Sequence, residues 1–367
     1  SVLKDASSAA IYGSRAANGV ILITTKRAGT DTFSVSYDGY FGWQSAIDLP
    51  KMVNAIDHMI MTNIAHTNIG KSPLYSEEYI NEYKQNMATD PDRYPNTNWI
   101  KETLTNNGLM QNHFVTLSGG SKRVRTIANI GYFDQNGIIE NSNTIRINND
   151  MNVLEKLSTQ IDAHIALTKR IAPSIGAASA FHWMGRIPAN QTGKLTSGQW
   201  GEGWNGTNPI AFTNDGGLQK VDNPSAILNF GLIYKPNDEL TIQGNYSPNY
   251  WESHISNFNK VVQTYKWDGN PSYASPQKSS LSNQTDRNLL NLLMGSITYD
   301  QNFGNHGLKV LLGYQQEDFR NDGHQGYREN FPFPNYPVLS AASEENQKAS
   351  GWASEWALQS VFNRINY

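Results

Sequence analysis

Aromatic rings, not ionisable clusters, are the chemistry this sequence offers. Between Ile171 and Pro224 stand Phe181, Trp183, Trp200, Trp204 and Phe212 among Gly, Asn and Thr, and Val261 to Ser280 adds Tyr265, Trp267 and Tyr273. Rings beside carboxamides suit sugars, whose C–H faces stack while their hydroxyls bond to Asn, Gln and Asp; they suit peptides nearly as well. Trp183, Trp200, Trp204, Tyr265 and Trp267 are therefore candidate substrate-binding residues. The same rings could instead knit their loops together.

Reactive constellations are harder to find. Glu344 and Glu345 are adjacent, so in helix or strand their side chains diverge, which defeats a general acid/base pair. The 8 histidines show no HExxH or His-x-His spacing, and His58 and His66 stand too far apart for joint ligation, so no metal is assigned. No Gly-x-Ser-x-Gly elbow or Walker loop occurs. Gly13-Ser-Arg-Ala-Ala-Asn-Gly19 lacks the lysine of a nucleotide cradle, and its small residues suit a tight backbone turn instead. No catalytic residue and no cofactor are expected, and the chain does not read as an enzyme.

Composition narrows the class. The chain is 38% hydrophobic and 17% charged, with no apolar run near the roughly 20 residues of a membrane-spanning helix, so any span must be made by strands. The 9 Trp, 18 Tyr and 13 Phe beside 30 Gly fit a wall that is apolar on one face and polar on the other. No cysteine is present, which excludes disulfides and thiolate chemistry, and a net charge of −3 with scattered Lys and Arg makes nucleic acid an unsuitable partner.

The elements that must position the rings read as strands. Phe33 to Trp43 sets Phe33, Val35, Tyr37, Phe41 and Trp43 against Ser34, Ser36, Asp38 and Gln44, and Leu157 to Thr168 sets Ile161, Ile165 and Leu167 against Gln160, Asp162 and His164. Ile145–Val153 and Leu240–Tyr250 alternate likewise. Weaker patterns at Asn112–Ser118, Val124–Phe133, Ala226–Tyr234, Leu289–Tyr299, Leu308–Gln316 and Trp356–Tyr367 bring the total to about ten strands, each near the 9–11 residues of a tilted membrane strand. Turn-like joints at Gly119–Lys122, Leu154–Lys156, Lys235–Glu239 and Phe303–Gly307 alternate with long joints spanning Pro50–Gln111, Ile171–Pro224, Ser253–Arg287 and Asn321–Glu355. A shorter joint near Asn141 to Asn143 is the exception on the long side. Such asymmetry is the habit of outer-membrane barrels. Within the first long joint, Met52, Ile56, Met59, Ile60 and Ile64 predict an amphipathic helix over Lys51 to His66, packed on the barrel rim or else presented to a binding partner.

The opening stretch, Val2-Leu-Lys-Asp-Ala-Ser7 through Ala10-Ile-Tyr-Gly-Ser-Arg15 to Ala17-Asn-Gly-Val-Ile21 and Ile23-Thr-Thr-Lys26, predicts a short helix ending at Gly13 and a buried strand over Val20 to Thr25. Its wording closely resembles the end of the plug domain of SusC-like (RagA/SusC type) TonB-dependent outer-membrane transporters. Gln111-Asn-His-Phe-Val-Thr-Leu-Ser-Gly-Gly-Ser121, Gly131-Tyr-Phe-Asp-Gln-Asn-Gly-Ile138 and Ala357-Leu-Gln-Ser-Val-Phe-Asn-Arg-Ile-Asn-Tyr367 resemble successive barrel strands of that family.

The resemblance implies an all-β fold: part of a transmembrane antiparallel β-barrel, with residues 1–29 the C-terminal end of the plug and 30–367 the first part of the wall. It implies a place in the cell outer membrane among its lipids. The implied activity is active import of oligosaccharides, or of peptides, energised through TonB, with a SusD-like surface lipoprotein over the long loops. Arg15 would then join plug-to-barrel contacts or be a plain surface arginine. A siderophore or vitamin receptor, and a non-transporting carbohydrate-binding β-protein, remain open alternatives.

Overall fold

The computed structural model describes residues 2–3, 19–21, 28–29, 33–104, 108–139, 141–153 and 157–367. Near the start, β1 (Val2–Leu3) and β2 (Val20–Ile21) pair antiparallel in a sheet of their own. The predicted helix to Gly13 and the rest of the strand to Thr25 lie outside the described residues.

Ten strands then form one antiparallel sheet: β3 (Phe33–Gln44), β4 (Gly108–Gly120), β5 (Val124–Asn136), β6 (Asn141–Val153), β7 (Leu157–Pro173), β8 (Gly217–Tyr234), β9 (Leu240–Asn259), β12 (Ser280–Phe303), β13 (His306–Glu329) and β14 (Lys348–Asn366). Each pairs with its sequence neighbours in the sheet, so the sheet is a pure meander with β3 and β14 at its edges. A small hairpin, β10 (Val262–Tyr265) and β11 (Pro271–Ser275), sits in the joint between β9 and β12. The β8–β9 ladder skips pairs beside Pro224 and Pro248, which have no N–H to donate.

Register makes the alternation two-faced across strands. Met151, Ile161, Phe230, Tyr246 and Leu293 fall in one row on the apolar face. On the opposite face Gln160 donates to Asp162, Asn229 donates to the same carboxylate at 2.9 Å, and Ser247 Oγ donates to Asn229 at 2.7 Å. His164 meets Asn148 there. These polar side chains therefore satisfy one another, as groups removed from bulk water tend to.

All ten predicted strands exist, but their lengths differ from the expectation. β12 and β13 each run 24 residues and β9 runs 20, about twice what a bilayer needs. Counted from the short-turn ends, the apolar face is lined by Tyr234, Leu232, Phe230 and Leu228 on β8, by Tyr299, Ile297, Leu293 and Leu289 on β12, and by Val310, Leu312 and Tyr314 on β13. Above that band the same face turns ionic. Lys169 pairs with Asp222 at 3.9 Å, His254 with Glu252 at 3.0 Å, Arg287 with Asp322 at 2.5 Å, and Arg320 with Asp322 at 3.7 Å and Glu355 at 3.6 Å. Higher still, Phe258 and Leu281 are buried under Phe331 and Ala342 of the 330–347 joint, which folds back over the wall. The sequence reading ended these strands where the alternation ended. The backbone ladder continues because its bonds do not depend on which side chains it carries.

Candidate functional site

Every long joint leaves the sheet at the end opposite the short turns, and two of them fold together. In the 45–107 joint, α1 (Ala55–Asn68) and α2 (Glu77–Asn86) are capped by Asn54 and Ser76, whose side chains accept from Asp57 N and Tyr79 N, and α3 (Trp99–Thr103) follows. The 174–216 joint carries α4 (Ala177–Arg186) and α5 (Pro209–Asp215). One apolar cluster joins Trp99, Ile100 and Leu104 to Ala180, Met184, Ile187 and Ile210; a second joins Ala55, Met59, Tyr83 and Tyr94 to Ala189. The predicted helix thus exists, shifted to Ala55–Asn68. It packs on α2 and on Ala189 of the neighbouring joint, not on the barrel rim. Burial among these rings holds the Tyr83 hydroxyl well above its usual range and keeps it a donor to Pro95 O at 2.5 Å.

Buried polar groups lock the two joints. Asn208 is fully buried: Nδ2 donates to Gly193 O at 2.6 Å and Gly201 O at 2.9 Å, while Oδ1 caps α5 by accepting from Ala211 N at 3.0 Å. Thr97 Oγ1 donates to Gln191 O at 2.7 Å and accepts from Gly193 N at 3.1 Å, and the Trp99 indole donates to Pro188 O at 3.1 Å. A methyl at Gly193 would lie 2.7 Å from Ile210 and 2.8 Å from Thr97, so a larger residue there would have to displace these side chains. The sequence reading missed this network. The Asn-Pro pair at 208–209, an N-cap followed by proline at N1, was the signal available for it.

The five candidate rings divide between this scaffold and its surface. Trp183 is half-buried on α4 against the first cluster, with Arg186 5.9 Å over its ring. Trp200 is half-buried; its indole donates to Asp215 Oδ2 at 2.6 Å and Lys194 lies 5.2 Å over its face. Tyr265 is tied to it through the backbone, its N–H donating to Trp200 O at 2.8 Å. Trp204 (46% exposed) and Trp267 (54%) present open rings, and Arg93 bridges Trp267 to Tyr94 at 5.3 and 5.4 Å. Trp200 and Tyr265 are thus brought together as a joint between loops, while Trp204 and Trp267 are the two exposed rings, Trp267 with Arg93 over one face. Arg15 lies outside the described residues. Among the described residues no group of His, Asp and Glu is placed to hold a metal, and no helix is long and apolar enough to cross a membrane, which says nothing of a strand-built wall.

A long antiparallel meander with one apolar face, short turns at one end and a folded loop cap at the other is part of the wall of a transmembrane β-barrel. Solved structures with the same fold are the RagAB peptide transporter (TM-score 0.80, 18% identity) and the RagAB peptide importer in its "closed-closed" state (TM-score 0.79, 18% identity), each match covering 100% of this chain and 44% of the other. No protein-family model matches. Curated relatives include TonB-dependent receptor P26 of Formosa agariphila, 29% identical over 70% of this chain and 25% of that protein. TonB-dependent receptor P3 of the same organism is 27% identical over 100% of this chain and 35% of itself, and TonB-dependent receptor SusC of Bacteroides thetaiotaomicron is 24% identical over 100% and 36%. The chain spans about a third or less of the length of these relatives. It is related over its whole length to the TonB-dependent receptors, SusC among them, and corresponds to a part of such a protein.

Proposed function

We propose that residues 1–29 are the end of a plug and residues 30–367 the first part of the barrel of an outer-membrane transporter that imports oligomeric nutrients, oligosaccharides foremost, with energy delivered through TonB. The observation that carries the reading is the loop cap: two long joints share a core on the end opposite the short turns, and Trp204 and Trp267 stand on it. A transporter needs such a built receiving surface, whereas a wall alone does not.

The cap also offers a place for a second protein. Ile60 and Ile64 of α1, with Ile69, Leu74 and Tyr79, are exposed beside a groove of about 550 Å³ lined by Asn63, Thr67, Tyr75 and Ile80. We assign this side of the cap to a SusD-like lipoprotein, because exposed apolar side chains in this number are a liability unless covered. Extraction of the full-length receptor in mild detergent tests both parts. Co-purification of a surface lipoprotein and binding of an oligosaccharide are expected; a receptor that emerges alone and binds an iron chelate or a vitamin overturns the reading in favour of a siderophore-type receptor.

A further inference from the structure

The polar face of the sheet carries an aromatic cluster outside the loops. Phe319 on β13 and Trp356 on β14 are register partners with ring centroids 5.6 Å apart and planes 29° apart. Trp251 leans across β12 from β9 to within 5.9 Å of Phe319, at 27°. Two rows beyond the Phe319–Trp356 pair, further from the short turns, Trp352 pairs with Gly323. A methyl at Gly323 would lie 2.6 Å from Cε2 and Cζ2 of that indole, so Trp352 lies across the glycine instead of standing off the wall. Trp251, Trp352 and Trp356 keep 39%, 37% and 37% of their surface open. By contrast Phe362, which covers Gly313 in the same manner nearer the short turns, is buried.

Height and chemistry give the cluster a use. Its rows coincide with the ionic belt on the outer face, where Arg287, Asp322, Arg320 and Glu355 meet, so it stands above the apolar band in the mouth of the lumen. Interleaved with the rings are Asn288 and Asn321, the latter donating to Asn288 Oδ1 at 2.9 Å, and the carboxylate of Asp286. On the four strands β9, β12, β13 and β14 these rows hold no cation: β9 contributes Asn249, Trp251 and Ser253, and β14 Trp352, Ser354 and Trp356; the cation along the Trp251 row is Arg146 on β6, three strands from β9. Rings, carboxamides and the single carboxylate of these four strands suit a neutral polyhydroxylated ligand, since an acidic ligand stacked on them would lie beside Asp286 with no cation on the same strands.

We propose that Trp251, Phe319, Trp352 and Trp356 form a stacking track for neutral oligosaccharides on the inner wall, which takes the ligand from the loop surface into the lumen. This rests on the oligosaccharide reading above and adds a second, lumenal site to it. The test uses the full-length receptor in detergent, with maltohexaose, cellohexaose and laminarihexaose as probes and calorimetry and tryptophan quenching as readouts. Trp352→Ala and Trp356→Ala should each weaken the bound hexaose about ten-fold, and Trp356→Phe should retain most of the affinity. Heat-modifiable migration of each variant reports an intact barrel. Unchanged affinity in the Trp352 and Trp356 variants overturns the track and leaves oligosaccharide import standing. Failure of all three hexaoses to bind the unaltered receptor overturns the oligosaccharide reading and the track together.

Discussion

Thr196 of the second long joint donates twice to Asp92 of the first, its N–H to Oδ1 at 2.8 Å and its hydroxyl to Oδ2 at 2.6 Å. The pair is exposed and links segments more than a hundred residues apart. Asp92→Ala should cost about 1 kcal/mol or less overall, because exposed bonds compete with water. Its larger effect should be local: faster amide exchange over residues 191–201 with the wall unchanged, read by hydrogen exchange.

Asn208 should be far less forgiving. Asn208→Ala removes an N-cap and leaves Gly193 O and Gly201 O without their donor inside a dry core, at a cost of roughly 2–4 kcal/mol. The expected result is a loop cap cleaved by protease under conditions where the barrel strands resist. Equal resistance of variant and parent would show that the 174–216 joint keeps its fold without the Asn208 bonds.

On the wall, Ile165→Arg places a charge on the apolar face between rows of Ile, Leu and Phe and should cost about 2–4 kcal/mol near the bilayer midplane. Gln160→Arg, on the opposite face beside Asp162, should be tolerated. Folding yields into detergent or lipid measure the difference.

The candidate rings should separate by role. Trp204→Ala and Trp267→Ala should lower oligosaccharide affinity with little change in stability, because both rings are open. Trp200→Phe should instead loosen the cap by about 1 kcal/mol, through loss of the bond to Asp215. Thermal unfolding beside binding isotherms separates the two kinds of loss.

His58 on α1 gives the cap a pH dependence. Burial lowers its pKa, so the neutral ring is the folded form. The unfolded loop binds the proton more readily; stability is therefore complete above the ordinary value of about 6.5 and falls as pH drops through that value toward the lower folded one. Amide exchange of α1 should rise between neutral pH and mildly acidic pH, and His58→Gln should flatten that rise.

Period-two alternation and turn residues are local properties, so all ten strands and the turns at Gly119–Lys122, Lys235–Glu239 and Phe303–Gly307 could be read directly, while the turn at Leu154–Lys156 lies outside the described residues. Strand ends could not. Between Leu281 and Arg287 the face that is apolar below becomes charged or loop-covered, and alternation vanishes although every residue from Ser280 to Phe303 stays paired. Side-chain patterning reports what a face meets, and backbone pairing does not depend on it.

The amino-acid order by itself determined the meander, the two faces, the segregation of long joints, the candidate rings in them and the likeness to the TonB-dependent receptors. Tertiary structure decided which rings are scaffold and which are surface, since Trp200 and Trp204 stand four residues apart in similar company yet only one finds Asp215. It decided that α1 rests on Ala189 and not on the rim. It also brought Trp251, Phe319 and Trp356 together from three strands. The physical reason is common to all three: contacts between segments 15 to more than a hundred residues apart depend on register and loop docking summed over the whole sheet, and no local window of sequence contains that sum.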